Sequence, residues 1–142
     1  MSPSLDILNI LFARIHILSQ HVWLVDFNGN SCLHSLCSSY QGDPSSVENI
    51  VGCFERIVHE ASRERFSDTT SKKRAIQFMS LQNHHGCTAL HYLVDMLIDE
   101  DITCLLLDKA LKFSSELASI VDFDGMSLLH VSILHTFLNI RI

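Results

Sequence analysis

Along the chain, apolar residues recur three and four positions apart with polar residues between them, the period of a helix packed on one side. Leu8, Leu11, Phe12, Ile15 and Leu18 mark one such segment over 4–20. Val47, Ile50, Val51, Phe54, Ile57 and Val58 mark another. Gly42-Asp43-Pro44 breaks the chain before it, Ser45 or Ser46 suits its N-cap, and it is expected to run to about Arg63. Further helices are expected near 31–39, 88–98 and 102–113, and a last, almost wholly apolar one from Leu128 onward. The stretch 66–74 reads as an insertion, because Ser67-Asp-Thr-Thr-Ser71 has no apolar face. Its Ser and Thr hydroxyls are candidate phosphorylation sites.

The strongest signal lies between the helices. Asp26-Phe-Asn-Gly-Asn-Ser-Cys-Leu-His34, Asn83-His-His-Gly-Cys-Thr-Ala-Leu-His91 and Asp122-Phe-Asp-Gly-Met-Ser-Leu-Leu-His130 align without gaps as [DN]-x-x-G-x-[ST]-x-L-H. Each position has a physical role. Asp26, Asn83 and Asp122 suit the first position of a β-turn, where the side chain bonds the backbone two residues on. Gly29, Gly86 and Gly125 allow the left-handed backbone that closes it. Ser31, Thr88 and Ser127 suit helix N-caps, and Leu33, Leu90 and Leu129 begin the buried face of the helix that follows. His34, His91 and His130, at one fixed offset, suit buried imidazoles that each donate and accept one hydrogen bond.

The repeated segment resembles the ankyrin repeat, whose T-P-L-H-x-A signature sits in a unit of about 33 residues. The matching residues are Ser31-Cys-Leu-His34, Thr88-Ala-Leu-His91 and Ser127-Leu-Leu-His130. Cys32, Ala89 and Leu128 replace the signature's Pro, Leu36, Leu93 and Ser132 replace its small Ala, and the spacing between units is long and irregular. The resemblance implies an all-α fold: a short ankyrin-like solenoid of helix-turn-helix repeats with β-turn tips. A single domain over 1–142 is expected. It would hold an incomplete leading repeat at 4–25, repeat one with its insertion at 26–82, repeat two at 83–121 and a truncated repeat three at 122–142.

The resemblance also implies a non-catalytic module that binds another protein through turn tips and first helices. The tips align in columns: Phe27, His84 and Phe123; Asn28, His85 and Asp124; Asn30, Cys87 and Met126. Expected partner-binding residues are Phe27, Asn28, Asn30, His84, His85, Phe123, Asp124 and Met126 from the tips, and Tyr92, Asp95 and Asp99 from the helix after the second tip. A narrower expectation is an inhibitor like the IκB group, which masks Rel-type transcription factors. An alternative of another class is a His/Cys metal-binding protein, on the strength of His84-His85-x-Cys87 with Cys32 and Cys37 one repeat away. The usual zinc spacings are absent. No cofactor is expected.

Composition narrows the setting. The chain has 142 residues, is 47% hydrophobic and 18% charged, and has only two Pro and five Gly, which excludes disordered and low-complexity classes. A formal charge of −6 argues against direct nucleic-acid binding. Five Cys without a C-x-x-C pair suit a reducing compartment, so a cytoplasmic location is expected. Lys72-Lys73-Arg74 is a weak nuclear-import signal. Polar residues interrupt the apolar stretch from Leu5 to Leu24, so no membrane association is expected there. The last helix carries more apolar residues than one face holds, which leaves self-association through the C-terminal end open.

Overall fold

A computed structural model describes residues 4–14, 21–39, 47–63, 70–95 and 100–140, with side chains up to residue 134. The described residues are helical, without a strand. The elements are α1 (Leu5–Arg14), α2 (Cys32–Ser39), α3 (Val47–Ser62), α4 (Ser71–Met79), α5 (Ala89–Asp95), α6 (Glu100–Leu111), a 3-10 turn (Ser115–Ser119) and α7 (Leu128–Ile140). None of these helices is long and apolar enough to cross a membrane.

The helices form two layers. One contains α2, α5 and α7, each touching the next, and the other contains α1, α3 and α6. Short contacts of α2 with α3 and of α5 with α6 join them. The core lies between the layers: Leu33, Leu36 and Cys37 from α2, Ile50, Phe54, Ile57 and Val58 from α3, and Leu90, Leu93 and Val94 from α5. These are the apolar positions of the helical period, so burying one stripe per helix is what holds the layers. The bulky Leu36 and Leu93 at the signature's Ala position are buried in this core.

The apolar pattern and the helices differ at α4. The segment expected over 4–20 is helical from Leu5 to Arg14, and residues 15–20 lie outside the described set, as do 64–69, 96–99 and hence Asp99. The C-terminal end of the expected insertion over 66–74 is helical: Ser71–Arg74 form the first turn of α4. Thr70 caps that helix, its Oγ1 accepting from the Lys73 amide at 3.3 Å. Ala75, Phe78 and Met79 are buried, and α4 packs on α3. Trp23 locks the corner: its Nε1 donates to the Ala61 carbonyl at 3.2 Å, and its ring meets Phe78 edge-on at 5.3 Å. The Arg74 guanidinium lies 5.0 Å from the Trp23 ring centre, so one member of the basic triplet belongs to the fold.

The three repeated glycines have φ near +78, a backbone that disfavours any side chain. They differ in surroundings. A Cβ on Gly86 would stand 2.6 Å from both the Phe123 amide nitrogen and its ring, whereas one on Gly125 would meet nothing within 4 Å. Gly125→Ala is therefore expected to cost roughly 1–2 kcal/mol from backbone strain alone, and Gly86→Ala distinctly more, since Phe123 backbone must move. Urea titrations of the two variants measure this, and equal losses would refute the packing role of Gly86.

Candidate functional site

The site is built on three loops that repeat one set of bonds. In the first, Asp26 Oδ1 accepts from the Asn28 and Asn30 amides, both at 2.9 Å. Asn83 does the same for His85 and Cys87, and Asp122 for Asp124 and Met126. The amides of Gly29, Gly86 and Gly125 donate back to the carbonyls of Asp26, Asn83 and Asp122 and close each turn. Each loop so spends its acidic or amide side chain on its own backbone. The Asn30 and Asn28 amides accordingly hold the Asp26 carboxyl below its ordinary range.

A histidine then joins each of the first two loops to the next. The Ser31 amide donates to His34 Nδ1 at 3.1 Å, and His34 Nε2 donates to the Cys87 carbonyl at 2.8 Å. The Thr88 amide and the Met126 carbonyl serve His91 in the same way, at 3.0 and 2.9 Å. A carbonyl only accepts and an amide only donates, so both rings are neutral with the proton on Nε2. The Ser or Thr hydroxyl lies 2.9 Å from Nδ1 in both pairs, but the Nδ1 lone pair already takes the amide proton. In neither pair is Nδ1 left as a free base to activate the hydroxyl, and the Ser31 hydroxyl accepts from the His34 amide at 3.4 Å as a helix cap.

His130 is the exception. Its Nδ1 takes the Ser127 amide at 3.2 Å, yet the residue is exposed and its Nε2 meets no carbonyl among the described residues. The expectation of a buried bridging role therefore fails for this third histidine, because no further loop stands beside it among the described residues.

The loops also bond directly. The His84 amide donates to the Asn28 carbonyl at 2.9 Å, and the Phe123 amide to the His85 carbonyl at 3.1 Å. His84 sits over Gly29 and Phe123 over Gly86. The expected binding residues therefore divide. Phe27, Asn28, His84, His85, Phe123, Asp124 and Asp95 are exposed, Phe27 completely so. Asn30 and Tyr92 are half-buried and also carry structural bonds: Asn83 Nδ2 donates to Asn30 Oδ1 at 2.8 Å and to the Tyr92 hydroxyl at 2.7 Å. Tyr92 also meets the His34 ring edge-on.

Four of the expected residues share one groove. Tyr92, Asp95, Asp124 and Met126 line a cavity of about 290 Å³ between α5, α7 and the third loop. Asp122, Val131 and Leu134 complete its acidic and apolar walls. Burial, and after it the charges of Asp122, Asp95 and Asp124, push the Cys87 thiol in this groove upward, which registers the negative field there. A groove that pairs carboxylates with apolar walls suits a cationic side chain with an apolar neighbour.

The opposite layer holds a larger groove of about 670 Å³ that pattern reading missed. Lys72 of α4, Lys109 of α6 and Lys112 just beyond its end line it with His59. Lys109 is paired with Glu55 at 2.6 Å and Lys112 with Asp108 at 3.0 Å. These lysines come from two helices distant in sequence, so no local signal marks them.

Among the described residues, no three His, Cys, Asp or Glu side chains stand close enough to hold a metal ion. His84 and His85 point from a loop, while Cys37 is buried in the core and its thiol pushed up to about 12 by that burial. No protein-family model matches the chain, and no curated protein and no solved structure matches it either.

Two outcomes follow from the imidazole bridges. His91→Ala leaves the Thr88 amide and the Met126 carbonyl without their partner, and should lower stability by about 1–3 kcal/mol, read by urea denaturation. Wild-type stability in this variant would refute the bridge. His34 titrates below its ordinary 6.5, because burial disfavours the imidazolium. Its contribution is thus complete above 6.5 and is lost as pH falls through the window below, where the unfolded chain takes the proton first. Denaturation midpoints should fall on acidification through that window, and less steeply in His34→Gln.

Proposed function

We propose that the chain is an ankyrin-type repeat module that binds a protein partner and performs no catalysis. The threefold recurrence of turn, cap and imidazole supports the repeat reading, with an incomplete leading unit over 4–25 and further units beginning at Asp26, Asn83 and Asp122. The loops and the layer of α2, α5 and α7 form the recognition face.

The groove beside α5 carries this reading. Asp95, Asp122 and Asp124 surround apolar walls given by Tyr92, Met126, Val131 and Leu134. The partner is then a protein segment with a Lys or Arg next to an apolar side chain. The acidic rim steers the encounter, and the half-buried aromatic supplies contact area. The overall charge of −6 adds to this preference for a basic partner.

Asp95 is exposed and makes no hydrogen bond or ion pair from its side chain among the described residues, so reversing its charge is the mildest test of the groove. Asp95→Lys should weaken capture of the partner about tenfold, and added salt should weaken the wild-type complex. Quantitative affinity purification with the two proteins side by side measures it. Identical sets of bound proteins, at identical yield, would overturn the assignment of the groove.

A further inference from the structure

Each junction between neighbouring loops has three parts, and each part has a giving and a receiving half. A loop's second residue gives its amide to the carbonyl of the preceding loop, at Asn28 and at His85. The same residue's ring covers the preceding glycine: His84 lies over Gly29 and Phe123 over Gly86. In the other direction, the preceding histidine gives its Nε2 proton to the fifth residue's carbonyl, at Cys87 and at Met126.

The first and third loops show the unmatched halves of this same junction. At the first loop, Phe27 stands in register with His84 and Phe123, and is wholly exposed. The Asn30 carbonyl, in register with Cys87 and Met126, receives among the described residues its own loop's Asp26 amide and no imidazole. At the third loop, Gly125 has nothing within 4 Å of where its Cβ would lie. His130 Nε2 meets no acceptor among the described residues, and the Asp124 carbonyl occupies the accepting position of Asn28 and His85. The helices agree. Leu33 and Leu90 are 1% and 0% exposed, while Leu129 in the same register is 68% exposed. Cys37 and Val94 are 2% and 3% exposed, and Ile133 is 48% exposed. On the second layer, Ile7, Ile10 and Leu11 of α1 face away from α3 and are also exposed.

We infer that the face of the third loop and α7 receives the first loop, α1 and α2 of a second copy of this chain, stacked head to tail. Phe27 of the incoming copy covers Gly125 as Phe123 covers Gly86, and its amide meets the Asp124 carbonyl. His130 then donates to the incoming Asn30 carbonyl, as His34 does to that of Cys87. Leu129 and Ile133 are buried against the incoming α2, while the incoming α1 continues the second layer beyond α6. The fit is not perfect: Cys32 and Ser35 of the incoming α2 are smaller than Ala89 and Tyr92 taken together, so the seam is looser than the internal ones. Asp124 and the incoming Asp26 come near one another, and salt screens that repulsion. Such an interface joins unlike surfaces, so each added copy offers a fresh one and growth does not stop at two unless the ring closes.

The test uses the full chain in sedimentation velocity across a broad dilution series. Wild type is expected to form dimers and larger species as concentration rises, more so at higher salt. That salt response is opposite in sign to the one expected of the acidic groove, so either reading fails without the other. Phe27→Asp removes the giving half and Leu129→Glu the receiving half, both at exposed positions. Each variant alone is expected to weaken association more than tenfold. Mixed, they should form a one-to-one dimer that grows no further, since Phe27→Asp keeps a sound α7 face and Leu129→Glu a sound first loop. Ile133→Glu replaces Leu129→Glu if the latter does not fold by circular dichroism. A monomeric wild type at every concentration would overturn the inference. So would a Phe27→Asp protein that still self-associates, because the two α7 faces would then be meeting each other.

Discussion

The structure depends on a neutral imidazole held between two backbones. His34 and His91 each accept a hydrogen bond from the amide that precedes their own helix and donate one to the carbonyl of the next loop. The two bonds fix opposite ends of one rigid ring, so the position of a helix is set directly by the loop beyond it. Both rings are buried, and for His34 that burial disfavours the charged form, which would replace the acceptor nitrogen with a donor. The apolar stripes of α2, α3 and α5 supply much of the burial, and the imidazoles tie its register to the loops.

Much of this was legible along the chain because each of its devices is local. An Asp or Asn that bonds amides two and four residues on, a glycine at positive φ and a hydroxyl cap all act within nine residues, so the repeated segment carries them whole. The helix α4 was not legible. Its buried Ala75, Phe78 and Met79 follow a basic triplet and a polar run, so the local pattern suggests a solvated connection. What makes it a helix is distant: Trp23, α3 and the ring of Phe78.

The candidate site was half legible for the same reason. Tyr92, Asp95, Asp124 and Met126 were identifiable as variable positions, but that they meet in one groove depends on the pairing of α5 with α7. Asn30 and Tyr92 looked like free recognition residues, yet Asn83 holds both. The three histidines look alike in sequence and differ in fact, because the partner of each lies on the next loop, far outside any local window. The acidic field of the groove likewise sums carboxylates from two loops and a helix, and Cys87 responds to it from the floor.

Every part of a junction lies within the nine-residue segment, and each segment touches only those beside it. A gene duplication that copied one segment with its helices would carry a finished joint at both ends, with no change required elsewhere. The length of such a molecule is therefore an open variable in evolution, while the chemistry of the joint is not. A substitution at a loop's second residue must answer to the glycine before it, so drift is constrained in adjacent pairs and free between them. The unequal connections, α4 in one and a short 3-10 turn in the other, show where that freedom has been used.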